Sequence, residues 1–228
     1  MEIPRNHREL VERLAAEVRP VSRLRSPTVR MLAWMALPAA FLTIAAVAHL
    51  RADLADRLRA PAFALELGLL AAGAGISTWL AFRVAVPDRR SAGGGLWLAV
   101  GLVVAAVAAL LSEPWVSLPA SGRFAAVGVG CLEKTVALAA LPWVMLVAAL
   151  RRGAPVAPAT GGALAGAAAF LLANVAMRVV CPIDAHLHVL TWHLLPAGVA
   201  AVVSGALGAA CLGHWALGAG PSPSQRPR

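Results

Sequence analysis

The sequence predicts an all-α integral membrane protein, a bundle of six transmembrane helices preceded by a short cytoplasmic amphipathic helix. Three observations carry that reading. Hydrophobic residues make up 60% of the 228 positions and charged residues only 14%, with a mean hydropathy of +0.75, whereas a soluble domain carries about 25% charged residues. Six apolar stretches approach the ~20 residues needed to cross a hydrocarbon core of about 30 Å. Arginine gathers in alternate connections between those stretches, the pattern that sets orientation in a bilayer.

Residues 1–28 form the first unit, an arm and a basic linker. Between His7 and Arg19 the residues Leu10, Val11, Leu14 and Val18 recur at helical spacing and form one apolar stripe. Glu9 and Arg13, four apart, pair across the polar face, and Pro20 stops the run. So short a helix has no core of its own and is marginal in isolation. Its stripe therefore predicts docking, on a lipid surface or in a partner's groove. Anionic lipid would repel Glu2, Glu9, Glu12 and Glu17, so a protein partner is the preferred reading.

Residues 29–217 form the membrane unit. Its segments are Val29–Leu50, Pro61–Val86, Gly93–Leu111, Ala125–Leu150, Gly161–Val180 and Val189–Leu217. Each must be helical, because a lipid-facing backbone group cannot go unpaired. Short connections imply antiparallel neighbours in three hairpins. Fourteen of the nineteen Arg fall in the arm, in the loops at Arg83, Arg89 and Arg90 and at Arg151 and Arg152, and in the tail. Arg51, Arg57, Arg59, Arg123 and Arg178 occupy the other side. Both termini are thus expected in the cytoplasm. Ala and Arg in excess with one Lys fit a GC-rich bacterial genome, a matter of codons rather than of function. Ala46-Val47-Ala48 has the small-x-small pattern of a cleavage site, but the long, partly acidic region before it argues for a retained segment. Gly162-x-x-x-Gly166 and Ser204-x-x-x-Gly208 predict ordinary close helix packing. Residues 218–228 read as a disordered cytoplasmic tail.

Charges inside apolar segments cost roughly 2.5–3.5 kcal/mol each on insertion scales and need a reason. Glu66, Glu133, Lys134, Asn174 and Arg178 are such residues, and the orientation above puts them in one polar layer in the outer half of the bundle. That layer is either an ion-pair network fixing helix register or a support for the site above it.

The site above it is a pair of thiols. Cys131 stands near the start of segment four, and Cys181 heads the string Cys181-Pro182-Ile183-Asp184-Ala185-His186-Leu187-His188 after segment five. Both fall on the outer side. Three chemistries remain open: a disulfide in an oxidising compartment, a soft or borderline metal such as zinc, cadmium or copper held with Asp184, His186, His188 or His193, or a reactive thiol tuned by Arg178. Cys211 lies deep in the last segment and reads as a small packing residue.

The net charge of +9 lies between apolar segments and is no nucleic-acid footprint. No phosphate-binding loop, nucleophile elbow or zincin motif is present, so no enzyme is expected. A transporter of a metal or small solute using the intramembrane Glu, Lys and Arg is the main rival. It lacks an evident inverted repeat or a matched pair of broken helices. A haem or quinone enzyme is weaker still, because His49, His193 and His214 stand at different depths.

The chain resembles the NrsF-like family of bacterial inner-membrane proteins over essentially its whole length. The likeness rests on Leu14-Ala15-Ala16-Glu17-Val18-Arg19-Pro20-Val21 before segment one, and on Cys131 at the head of segment four. It also rests on Cys181-Pro182-Ile183-Asp184 followed by an apolar stretch containing Trp192-His193. The resemblance implies an anti-sigma factor that holds an extracytoplasmic-function sigma factor of the sigma-F type at the membrane. It implies release when metal or oxidative stress acts on Cys131 and Cys181. It assigns no role to Glu66, Glu133 or the histidines.

Overall fold

The structure, a computed structural model, describes residues 5–17, 25–86, 93–116, 124–153, 155 and 157–212. Its elements in chain order are α1 (Arg5–Glu17), α2 (Pro27–Val47), α3 (Leu54–Arg59), α4 (Pro61–Val84), α5 (Gly93–Leu111), α6 (Phe124–Arg151), α7 (Pro158–Val180) and α8 (His186–Val189). A π-helical segment (Leu190–Leu194) then leads into α9 (Leu195–Leu212). No strand occurs among the described residues, and six spans are long and apolar enough to cross a membrane. The chain is an all-α integral membrane protein.

Local chemistry explains where these helices begin and end. Proline opens α2, α4 and α7, where its missing N–H would have lacked a helical partner anyway. The Ser26 hydroxyl accepts the Val29 N–H at the start of α2. At the other end of the chain's central helix, Cys181 precedes Pro182 and is extended (φ −76°, ψ 121°), as a residue before proline tends to be. That extended residue ends α7 and turns Cys181 out of the helix.

Helix α7 is the axis of the bundle. It is 67% buried along its span, against 17–44% for the other five, and packs against α2, α4, α6, the π segment and α9. Small residues allow this. A Cβ at Gly162 would lie 2.8 Å from the Gly208 Cα, and one at Gly166 would lie 2.5 Å from the Ala200 carbonyl oxygen. The two small-residue pairs read in the sequence are therefore opposite faces of one α7–α9 contact. Leu70, Leu80 and Ala81 of α4, Leu146 and Leu150 of α6, and Ala165 and Ala168 of α7 fill the core. Leu37, Ile44, Val104 and Val202 stand exposed on the outside, where lipid rather than water suits them.

The sequence and structure differ most in the last span. It starts at His186, three residues earlier than Val189, and contains the π segment. Pro196 offers no N–H to the Trp192 carbonyl and its ring would crowd that carbonyl in a regular helix. The widened turn relieves both problems, with the Leu195 N–H donating to the Leu190 carbonyl, five residues back. Residues 213–217 and the tail, 218–228, lie outside the described residues, as does most of the linker at 18–24.

Candidate functional site

Cys131 of α6 and Cys181, 50 residues apart in sequence, meet with their Sγ atoms 3.8 Å apart. Both are buried and unbridged. His188 brings Nε2 to 3.7 Å from the Cys181 Sγ, and His193 brings Nε2 to 3.3 Å from the His188 Nε2. One ligand atom from each of the four lies within 4.8 Å of every other, a group that could hold a metal ion.

Each side chain is positioned by a local device. The Thr135 hydroxyl donates to the Cys131 carbonyl one turn back, which satisfies a buried hydroxyl inside the helix. Met177 packs with the two cysteines, and Leu138, Ile183 and Trp192 border them. Trp192 in turn lies flat against Gly128, where any Cβ would collide with the indole. His188 and His193 are five residues apart, which in a regular α-helix turns them about 140° from each other. The π segment spreads its turn toward five residues and so aims both imidazoles at the thiols.

The Cys181 thiol is acidic for its type. A hydrogen bond from Cys131 holds it below the ordinary value, opposed by burial and helped by His188 and His193.

Beside the thiols lies a layer of arginines and carboxylates. Arg178 donates from Nε and Nη2 to both oxygens of Glu66, at 2.8 and 2.9 Å, and from Nη1 to Asp184 at 3.0 Å. Arg51 forks onto Asp184 (2.9 and 2.6 Å) and onto Asp53 (2.7 and 2.8 Å), and its Nη1 also reaches the Cys181 carbonyl at 3.1 Å. Arg57 pairs with Glu113 and approaches Asp184 at 3.3 Å. All three guanidiniums gather about the buried Phe63 ring, 4.9 to 5.8 Å from its centre. Burial raises the Asp184 pKa, but the Arg51 hydrogen bond and the charges of Arg178, Arg51 and Arg57 outweigh it and hold the carboxyl below the usual range. The same Asp184 hydrogen bond, joined by Asp53, raises the Arg51 pKa. Paired in this way, charges at the end of a membrane bundle are satisfied rather than stranded.

The sequence-predicted residues divide accordingly. Cys131, Cys181 and His188 come together. Asp184 instead serves the three arginines, and His186 serves the end of α5. The His186 Nδ1 accepts the Val116 N–H at 3.2 Å, which leaves the proton on Nε2 to donate to the Leu110 carbonyl at 3.1 Å. Trp115 stacks on that ring at 4.7 Å. Of the four candidates named beside the thiols, His188 and His193 join them. In the polar layer Glu66 and Arg178 pair, and Asn174 is buried with neither side-chain atom partnered. Glu133 and Lys134, however, are exposed on α6, because Cys131 and Thr135 occupy the inward face four residues apart. Arg51 and Arg57, read only as loop charges, are central members. In the arm, Leu10, Val11 and Leu14 are more than half exposed, and Val18 lies outside the described residues.

The cysteines lie where α2 and α7 end and α4 and α6 begin; Ser26 and the start of α2 are at the opposite end of the bundle. A family model described as the negative regulator of sigma F, NrsF, matches residues 14–215. No curated protein and no solved structure matches the chain.

Proposed function

The chain belongs to the NrsF family, negative regulators of sigma F, and we propose that it is a membrane-embedded anti-sigma factor. It sequesters an extracytoplasmic-function sigma factor through its cytoplasmic side at the bacterial inner membrane. It releases that factor when the periplasm-facing pair Cys131 and Cys181 meets a thiophilic metal, such as zinc or cadmium, or an oxidant. The lipid bilayer is a further partner, and nucleic acid is not a direct one.

One observation carries the sensing step: two thiols from distant parts of the chain, 3.8 Å apart in a buried site. Closing such a pair ties the start of α6 to the end of α7. A ligand moves a two-state bundle only through differential affinity, and about 5.5 kcal/mol shifts 1:99 to 99:1. Structural metal sites can supply that much.

The route to the arm runs through α2. One end of α2 leads to Arg51, whose N–H donates to the Val179 carbonyl at 3.1 Å and whose guanidinium holds the Cys181 carbonyl. At the other end, Arg30 donates to the Ala149 carbonyl near the end of α6 at 3.2 Å and covers the Phe82 ring of α4. The strut is thus fastened to both cysteine-bearing helices, and its first residues continue from the arm. Leu10, Val11, Leu14 and Val18 supply the apolar face for the sigma factor. Glu66, Asn174 and Arg178 form the support beneath the thiols, and Glu133 and Lys134 lie on the outer surface of α6.

A reporter driven by the partner sigma factor tests the reading. Cadmium or an oxidant induces it in the wild type, Cys131→Ser/Cys181→Ser stays silent, and deletion of the chain leaves it constitutively on. A reporter unchanged by deletion would overturn the proposal.

A further inference from the structure

We propose that the cysteine pair is half of a four-coordinate site for a zinc-type divalent ion, completed by the imidazole Nε2 atoms of His188 and His193. The inference deepens the sensing reading, which supplies the role of the two cysteines, and adds the ligand set and the class of ion.

The argument is geometric. Zinc binds thiolate sulfur at about 2.3 Å and imidazole nitrogen at about 2.0–2.1 Å in tetrahedral structural sites. A tetrahedron with those bond lengths has edges of about 3.8 Å between sulfurs, about 3.3 Å between nitrogens and about 3.6 Å between sulfur and nitrogen. The corresponding separations here are 3.8 Å for Cys131 and Cys181, 3.3 Å for His188 and His193, and 3.7 Å for Cys181 and His188. Three of the six edges thus match those of the tetrahedron, and the other three are no longer than 4.8 Å, within reach of small side-chain rotations.

The chemistry agrees with the geometry. Two thiolates and two neutral imidazoles form a donor set suited to a d10 ion that accepts tetrahedral S2N2 coordination. Together with a divalent cation they sum to zero charge, which suits a buried site where an unpaired charge would be expelled. Asp184, which would have made the set anionic, is held by Arg51, Arg57 and Arg178. His186 is withdrawn to the end of α5. The neighbouring candidates are therefore excluded by their own bonds, and the π segment admits His193 in their place.

A bound ion would fasten three elements at once: the head of α6, the connection after α7, and the start of the last span. A disulfide would join only the first two. Ion binding and thiol oxidation then act on overlapping but unequal parts of the bundle.

The test uses the full chain in lipid nanodiscs, titrated with zinc and, for its spectrum, cobalt. The wild type takes up about one ion per chain, and the cobalt form shows the ligand-field bands of a tetrahedral site with a thiolate charge-transfer band. His188→Ala and His193→Ala weaken uptake by more than about tenfold, the smallest loss typical of removing even a group that only orients a ligand. His193→Cys, which restores a ligand atom, recovers the tetrahedral spectrum and so separates ligation from misfolding. Uptake that survives both alanine variants, or no uptake by the wild type, overturns the site. If the wild type takes up no ion yet its reporter still needs both cysteines, only the ion proposal falls. If it takes up the ion but the reporter ignores the cysteines, the sensing reading falls and the site stands.

Discussion

Arg51 holds Cys181 across 130 residues: its guanidinium donates to the Cys181 carbonyl at 3.1 Å, and its N–H donates to the carbonyl of Val179, two residues before that cysteine. The segment that presents the thiol is therefore the segment that holds the end of α2. Arg51→Lys keeps the charge but loses the planar fork that engages two carboxylates and a carbonyl together. The variant is expected to insert and to keep its thiols reactive, while the reporter's response to cadmium falls severalfold. An induction ratio equal to that of the wild type would remove α2 from the signalling route.

The Glu66–Arg178 pair is bidentate, and both side chains are only 1% exposed. Removing one member of such a pair costs about 3–5 kcal/mol, because the other charge is left buried and unpaired. Arg178→Ala and Glu66→Ala should each lower the thermal midpoint in detergent by many degrees. Replacing both with apolar residues of similar size, Glu66→Leu with Arg178→Met, should recover much of the loss. Arg178 also serves Asp184, so full recovery is not expected. Single variants with wild-type midpoints would show that the pair bears no structural load.

Asp184 gives the acid limb of the stability profile. Its folded pKa lies below the ordinary carboxylate value, which is about 3.9 in an unfolded chain. Its contribution is fully present above that unfolded value and is lost as pH falls through the folded one. Thermal midpoints measured between about pH 6 and pH 3 should decline at the acid end. In Asp184→Asn that decline should be shallower. An identical slope in the variant would assign the limb to other carboxylates.

The α7–α9 contact leaves no room for a side chain at Gly166, where a Cβ would meet the Ala200 carbonyl at 2.5 Å and the Ser204 Oγ at 2.6 Å. Gly166→Val forces those helices apart, at a typical cost of about 1–3 kcal/mol for overpacking. Because α9 follows the segment that carries His188 and His193, zinc affinity should fall along with thermal stability. A stable variant with unaltered affinity would mean the contact does not position the histidines.

Much of the fold is legible in the sequence for physical reasons. Span lengths follow from hydropathy, and the break after α7 follows from Cys181-Pro182. The rotation of α6 was not legible: a helix apolar on nearly every face does not announce which side is inward, so Glu133 and Lys134 read as interior residues. His193 is a candidate in the sequence, but regular helical spacing turns it away from His188, so its pairing with that residue depends on the π segment. Pro196, four residues after Trp192, was the one local sign of irregular winding. Arg51 was read as a loop charge since its partners, Asp184 and the Cys181 carbonyl, lie more than a hundred residues ahead in the chain.

The central claim is that the state of Cys131 and Cys181 at one end of the bundle sets the affinity for a sigma factor at the other. The most direct measurement is the dissociation constant of the partner sigma factor for the full chain in nanodiscs, with and without cadmium, for the wild type and for Cys131→Ser/Cys181→Ser. Cadmium should weaken binding to the wild type at least about tenfold, a change of about 1.4 kcal/mol, and leave the double variant unaffected. Wild-type binding that is indifferent to cadmium, or a double variant that responds equally, would contradict the account.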